Sequence, residues 1–273
     1  MLDTYLFVKK TYIILLGTLI IFFIIWFLGA WMFPNGPWDI VAEPYVRPWL
    51  NSKYVLGTDP LGRNILAEIL YGARTSILIS IVSSVVGSSV GILIGISSGY
   101  FGGMIDKILS LLIDAFQCIP SFLLSMVFLS IVAPSELTII LALCLTLWPP
   151  VARLVRVEVM CVIKSDYIAA SRCIGMSTFF VMYKHIIPNS VISVKSIFPM
   201  LISISIITEA GLAFLGLDDP NVMSWGSIIN IGRSSLRSYS YIVLLPCCCI
   251  IALVIFLTQI SRKLSKYEGG AEK

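Results

Sequence analysis

The sequence carries little charge. Only 12% of its 273 residues are Asp, Glu, Lys or Arg, whereas 58% are hydrophobic and the mean hydropathy is +0.96. A soluble globular domain typically has about 25% charged residues, so this composition predicts a protein embedded in a membrane. The net charge of +4 is too small to suggest a nucleic-acid partner.

Common catalytic motifs are absent as well. The sequence contains no G-x-x-x-x-G-K-[ST] loop for ATP phosphates, no H-E-x-x-H zinc motif and no G-x-S-x-G nucleophile turn. His185 is the only histidine, and the seven cysteines lack the spacing of a zinc site or a disulfide framework. We therefore expect no enzymatic activity, no metal site and no cofactor in this chain, and an energy source that lies elsewhere.

Long apolar segments occur six times, and each is compatible with the roughly 20 residues that a bilayer-spanning helix needs. The predicted spans are residues 12–33, 76–99, 108–132, 137–152, 196–217 and 241–260. Lys9 and Lys10 precede the first span, as in a signal peptide. Its apolar run is too long for a signal core and no small-x-small cleavage site follows, so we interpret it as a retained anchor.

Basic residues predict the orientation of these spans, because Lys and Arg concentrate in cytoplasmic loops. With the N-terminus in the cytoplasm, thirteen of the 19 Lys and Arg residues lie inside and the other six outside. Both termini and the polar stretch 166–190 are therefore predicted to be cytoplasmic.

Glycines recur every four residues in the second predicted span, at Gly87, Gly91, Gly95 and Gly99. This spacing leaves one helix face without side chains, which allows a neighbouring helix to approach closely. We interpret the glycines as a helix-packing face rather than as a hinge or a pore lining.

Acidic residues within the predicted spans are few, which disfavours a carrier driven by a proton or ion gradient. Asp114 is expected to pair with Lys107, seven residues earlier in the chain. Glu209 has two interpretations: it lines the translocation path near the outer gate, or it bonds the end of a neighbouring helix. Pro149-Pro150 is expected to kink or end the fourth span.

The stretch "DYIAASRCIGMSTFFVMYKHIIPNS", residues 166–190, is polar in an otherwise apolar region. Ser165 or Asp166 can cap a short helix over 167–174, because such side chains accept free backbone N–H groups. Gly175 suits the left-handed position that ends a helix.

A second short helix is predicted beyond this glycine. Ser177 can cap its start, and Pro188 stops it or starts the next turn. Ala169, Ala170 and Ser171 give the first helix a surface of small residues over which a partner's groove can close. The alternative is an amphipathic loop on the membrane surface, and the residues alone do not decide between the two.

This stretch resembles the EAA loop of importer permeases of the ABC family, through Ala170, Gly175, Pro188 and the ending "HIIPNS". Ala169 stands where the family often has Glu, and Ser171 replaces its second Ala. In that family the loop forms a coupling helix that docks into a cleft on a cytoplasmic ATPase. The resemblance implies ATPase-coupling residues at Tyr167, Ala169, Ala170, Ser171, Gly175 and Pro188.

Three further segments resemble the peptide/nickel branch of these importers, in its C-type permease half. They are "LGTDPLGRNILAEILYGARTS" (56–76), "GYFGGMIDKILSLLIDAFQCIPSFLL" (99–124) and "EAGLAFLGLDDPNVMSWGSII" (209–229). The first departs from the branch's pattern at Asn64 and Glu68, and the C-terminal tail departs as well.

The resemblance implies an extracytoplasmic face that meets a substrate-binding protein, formed in part by Asp59, Arg63 and Trp225. From the residues alone, Asp59 forms a turn with Arg63 as its partner, and this structural interpretation remains open beside the functional one.

The expected fold is an all-α integral membrane protein with six transmembrane helices, both termini cytoplasmic, and the type I permease fold of ABC importers. Residues 1–70 are expected to form an anchor helix and an extracytoplasmic loop. Residues 71–265 are expected to form a five-helix permease core, with the coupling helix at about 165–188, and residues 266–273 a cytoplasmic tail.

The resemblance implies a permease subunit in the cytoplasmic or inner membrane of a prokaryote that imports di- or oligopeptides by alternating access. Its implied partners are a homologous second permease, two ATPases that bind ATP and magnesium, and an extracytoplasmic substrate-binding protein. The alternative substrate is nickel or a metal chelate. A stand-alone secondary carrier and a membrane scaffold are the competing hypotheses from other classes.

Overall fold

The computed structural model of the chain describes residues 29, 31–50 and 53–271. Within these ranges the protein is helical, and the only β-pairing is two isolated bridges in the loop before the first long helix. The predicted first span, 12–33, lies almost wholly outside the described residues.

Ten α-helices are described. They are α1 (Ile65–Phe101), α2 (Gly103–Cys118), α3 (Ser121–Ile131), α4 (Glu136–Ile163), α5 (Asp166–Cys173), α6 (Thr178–Val181), α7 (Ile187–Ser190), α8 (Ile192–Phe214), α9 (Trp225–Gly232) and α10 (Tyr241–Ala271). A π-helix over Met182–Ile186 joins α6 to α7, and a 3-10 turn over Arg233–Ser235 follows α9.

Four of these helices are long and apolar enough to cross a bilayer by length and composition, namely α1, α4, α8 and α10. The pair α2 and α3 adds a fifth crossing if the two are counted as one broken span. The described part of the chain therefore contains four or five of the six predicted spans.

The centre of the fold is the contact between α1 and α4, and the glycine stripe determines it. A Cβ at Gly91 would lie 2.6 Å from the Trp148 carbonyl oxygen and 2.7 Å from the Val151 Cβ. Gly87, Gly95 and Gly99 meet α4 at similarly short range. The four glycines therefore lie at the contact between α1 and α4.

The third predicted span is not one straight helix. Helices α2 and α3 are bent by 85° at a short break, where Ile119 is extended (φ −87°, ψ 127°) and Pro120 precedes α3. A proline forces the preceding residue out of the helical region, so Pro120 accounts for the break. The expectation of a continuous helix over 108–132 was wrong at this proline.

The Pro149-Pro150 pair, in contrast to Pro120, does not end its helix. Helix α4 runs through Pro149-Pro150 without ending, and reaches Ile163 rather than stopping near residue 152. Each proline removes one backbone hydrogen bond. The residues directly after the pair, Val151 and Ala152, are fully buried against the glycine face of α1, so this packing keeps the segment helical.

Candidate functional site

Residues 165–190 form two short helical arms joined at Gly175, and we call this segment the hairpin. Its first arm is α5, and Gly175 has φ +81°, the left-handed conformation that the sequence predicted. The Ser177 hydroxyl accepts a hydrogen bond from the Phe180 N–H at 3.3 Å, so the predicted cap of the second arm is confirmed.

Of two further local predictions for the hairpin, the one for Ser165 needs adjustment. The Ser165 hydroxyl donates to the Val162 carbonyl at 2.6 Å instead of accepting from the start of α5. Pro188 lies in the first turn of α7, where a missing N–H is tolerated. It therefore starts a turn, the second of the two predicted outcomes, and the chain continues into α8 after Val191.

The inner side of the hairpin is anchored in the protein. Ile168, Val181 and Ile186 are at most 2% exposed and belong to the same core cluster as residues of α4 and α8. The Asn189 amide donates to the Tyr167 hydroxyl at 3.2 Å, which ties the second arm to the first. The hairpin is thus attached to two long helices, α4 on one side and α8 on the other.

The outer side of the hairpin carries exposed apolar side chains. Ile174, Phe179 and Tyr183 are 77%, 72% and 71% exposed. Five of the six predicted coupling residues are also exposed, namely Tyr167, Ala169, Ala170, Gly175 and Pro188. The sixth, Ser171, is buried and donates to the Tyr167 carbonyl at 2.7 Å. Exposed small side chains and exposed aromatic rings suit a docking partner.

At the far end of the bundle, the loop before α1 is held by a buried ion pair. Asp59 Oδ1 accepts from the backbone N–H of Arg63, and Asp59 Oδ2 accepts from the Arg63 guanidinium at 2.5 and 2.8 Å. Glu68 Oε1 lies 3.2 Å from Arg63 Nε. This geometry agrees with the structural interpretation of Asp59 and Arg63 as a turn.

The three residues that the resemblance assigned to the binding-protein face are buried in the chain. Arg63 and Trp225 are 3% and 4% exposed, and Asp59 is fully buried. The Trp225 indole N–H donates to the Ile69 carbonyl at 3.0 Å, which joins α9 to α1. These side chains can shape such a face only by holding the loops that form it.

Glu209 lies near the end of α8, 17 residues beyond Ile192, and is 1% exposed. The hydroxyls of Ser76 in α1 and Ser224 lie beside its carboxyl group, and Ser224 is the N-cap of α9. A carboxylate near a helix N-terminus is favoured by the free N–H groups there. The location agrees with bonding to a neighbouring helix end.

A small cavity of about 10 Å³ adjoins Glu209. It is also lined by Glu136, Asp218 and Asp219. Sequence analysis missed these three acids, although the adjacent pair Asp218–Asp219 directly after the "FLGL" segment was a visible signal. Burial, and to a lesser degree the neighbouring charge of Asp219, raises the pKa of Asp218 to about 6.

Acidic residues also pair with arginines between helices. Asp114 pairs with Arg153 of α4, so the prediction that Lys107 is its partner was wrong. Asp106 of α2 accepts from the Arg156 guanidinium at 2.5 and 2.7 Å and from the Ser98 hydroxyl at 2.6 Å, joining α2, α4 and α1. Partners from other helices decide these pairs, so spacing along one helix could not reveal them.

The fold and the hairpin together define a class, the helical membrane proteins with several spans. Residues 91–266 match the family of binding-protein-dependent transport system inner membrane components, and the chain belongs to this family. The matched region contains the hairpin, Glu209 and the helices from the last turns of α1 to most of α10.

Curated relatives are similar over most of the chain. It is 31% identical over 215 residues to the glutathione transport system permease protein GsiD of Pectobacterium atrosepticum, covering 78% of this chain and 70% of the relative. It is 32% identical to the oligopeptide permease OppC of Bacillus subtilis, covering 72% and 65%. It is 31% identical to the dipeptide permease DppC of Haemophilus influenzae, covering 75% and 70%. The resemblance to the peptide branch is confirmed.

Solved structures support the fold. An inward-facing form of the MetNI methionine ABC transporter matches with a TM-score of 0.59 at 16% identity, covering 74% of this chain and 97% of that chain. An amino acid ABC transporter matches with a TM-score of 0.58 at 15% identity, covering 74% and 94%. The helices are therefore arranged as in the permease subunits of ABC importers.

Proposed function

We propose that this chain is a permease subunit of an ATP-driven importer of di- or oligopeptides, located in the inner membrane of a prokaryote. The family supplies the class, and the relatives supply the substrate, since those described above are named for glutathione, oligopeptides and dipeptides. These names favour peptides over nickel. The proposed partners are a homologous permease, two ATPases and a substrate-binding protein.

The observation that carries this proposal is the exposed outer side of the hairpin. Phe179 and Tyr183 are exposed. A partner that removes such apolar side chains from water gains about 25 cal/mol of binding free energy per Å² of apolar surface buried. A cleft on an ATPase is such a partner. The exposed small residues Ala169 and Ala170 allow its walls to approach the backbone of α5 closely.

The attachment of the hairpin explains how docking transmits force. The hairpin follows α4 directly and continues into α8, whose far end carries Glu209. When the ATPases close around ATP, a displacement of the hairpin moves the ends of two long helices together. A conformational equilibrium shifts only by the difference in a ligand's affinity for its two states. ATP acts through the ATPases and the hairpin, rather than by contact with the long helices.

Reconstitution into vesicles tests the proposal. With the partner permease, both ATPases, ATP and the loaded binding protein present, a labelled dipeptide should accumulate inside. Leaving out any one component should abolish uptake, and this chain alone should neither hydrolyse ATP nor use an imposed proton or sodium gradient. Gradient-driven uptake by the chain alone would overturn the importer proposal and support a secondary carrier.

A further inference from the structure

Glu209 is buried without a complete set of partners. Its Oε2 atom makes no hydrogen bond to any described residue, although Glu209 is only 1% exposed. A buried carboxylate oxygen without a partner is destabilising, so something outside the described chain is expected to satisfy it. Glu209 itself lines the 10 Å³ cavity at the end of α8.

The cavity around Glu209 is lined by acidic residues. Glu136, Asp218 and Asp219 also line it, together with the hydroxyl residues Thr75 and Ser224, while none of its nine lining residues is Lys, Arg or His. Acidic side chains with no basic residue among them favour a cation over a neutral or anionic group. The missing partner therefore carries positive charge.

The size of the cavity limits this cation. About 10 Å³ corresponds to a single water-sized group. Within the described ranges, no three His, Cys, Asp or Glu side chains come together in a way that could hold a metal ion. A primary ammonium group is water-sized and has three N–H donors, which suit a carboxylate oxygen and neighbouring hydroxyls.

A larger cavity of about 260 Å³ adjoins the small one and shares Thr75, Glu136 and Val222 with it. Tyr71 and Arg74 are among its other lining residues. It offers room for the remainder of a small solute. The two cavities together fit a molecule with an amino group at one end.

We propose that the acidic cavity binds the primary ammonium group of a small solute, with the Glu209 carboxylate as its main partner and the larger cavity holding the remaining atoms. This deepens the proposed import function by assigning a ligand class, and it rests on that function only for the claim that the bound solute is transported.

Binding is measured on the purified permease–ATPase complex, without ATP and without the binding protein, as a ligand-dependent rise in melting temperature. The probes are dialanine and methylammonium, compared with N-acetyl-dialanine, tetramethylammonium and sodium at equal ionic strength. The first two should raise the melting temperature with concentration, and the other three should not. An equal rise with sodium or with the acetylated peptide overturns the proposal.

Two variants locate the site. Glu209→Gln should weaken dialanine binding by about tenfold or more, because it removes a hydrogen bond between charged groups. Glu43→Gln is the matched control, since Glu43 is an exposed acid in the loop before α1, and its binding should equal that of the unmodified complex. Unchanged affinity in Glu209→Gln overturns the proposal.

Asp218→Asn serves as a second variant if Glu209→Gln fails to assemble. Asp218 lies in the loop after α8 and is only partly buried, so its replacement leaves the long helices intact. It should weaken dialanine binding by a few-fold, and unchanged affinity would again overturn the proposal. Because this measurement needs no uptake, a failed import assay and a failed binding assay give separate results.

Discussion

Gly175 is the single residue on which the shape of the hairpin depends most directly. Its φ is +81°, a backbone conformation that residues with a Cβ adopt only at a cost of about 1–2 kcal/mol. Apart from its two chain neighbours, no described residue has an atom within 4 Å of the position a Cβ would take. A substitution there therefore changes the backbone of the hairpin without a steric clash inside the chain.

We expect Gly175→Leu to abolish coupled uptake while the protein still inserts and assembles its helices. The assay is peptide uptake and ATPase activity in reconstituted vesicles. Gly36→Leu is the matched control, because Gly36 has φ +87° and equally open surroundings but lies in the loop before α1. Normal substrate-stimulated uptake by Gly175→Leu, at the level of the control, would contradict the coupling role of the hairpin.

The raised pKa of Asp218 predicts that the stability of the folded protein depends on pH. Its pKa is about 6 in the folded protein against an ordinary value of 3.8, because burial disfavours the charged form. The ionised carboxylate therefore costs stability above about pH 6, and this cost disappears as the pH falls towards 4.

Asp218→Asn should accordingly be more stable than the unmodified protein above pH 6, by at most about 2 kcal/mol because the half-exposed charge is screened by solvent. The difference should vanish near pH 4. Melting curves of the purified complex in amine-free buffer at several pH values measure it, and a pH-independent difference would contradict the assignment.

At the scale of elements, the contact between α1 and α4 determines the architecture. Gly91→Ala would place a Cβ 2.6 Å from the Trp148 carbonyl, so the helices have to separate locally. Overpacking of this kind typically costs about 1–3 kcal/mol. We expect a lower melting temperature and less assembled complex for this variant.

Ser89→Ala is the control for the glycine variant, since Ser89 lies in the same helix with its side chain exposed. It should assemble normally. Equal melting temperatures for the two variants would show that the glycine stripe is not needed for close packing.

Prolines show how far an element can be predicted from its own residues. Pro120 breaks a helix, while Pro149-Pro150 does not. The difference lies in the surroundings: the residues after the pair are buried against α1, whereas α2 and α3 have few buried side chains. A helix that is packed along its length tolerates lost hydrogen bonds, because tertiary packing supplies most of its stability.

At the scale of the whole molecule, the orientation in the membrane is the main open prediction. In a variant without the native cysteines, a cysteine at Ser177 should react only from the cytoplasmic side, and one at Asn221 only from outside. Both positions are exposed in the structure, so that the label can reach them. The basis is the excess of Lys and Arg on the predicted cytoplasmic side. Labelling of position 177 from outside would reverse the orientation.

The sequence by itself determined the class of protein, the approximate positions of α1, α4, α8 and α10, the packing role of the glycine stripe and the turn at Gly175. These follow from local properties, namely hydropathy, residue size and backbone conformational preference, which each segment carries in its own residues.

Only the tertiary structure decided the bend at Pro120, the ion pairs of Asp106 and Asp114, and the burial of Arg63 and Trp225. It alone also brought Glu136, Asp218 and Asp219 to the cavity beside Glu209. These features depend on which helices become neighbours, because an ion pair or a cavity is formed by residues that are far apart in the chain. No spacing within one segment encodes such a contact.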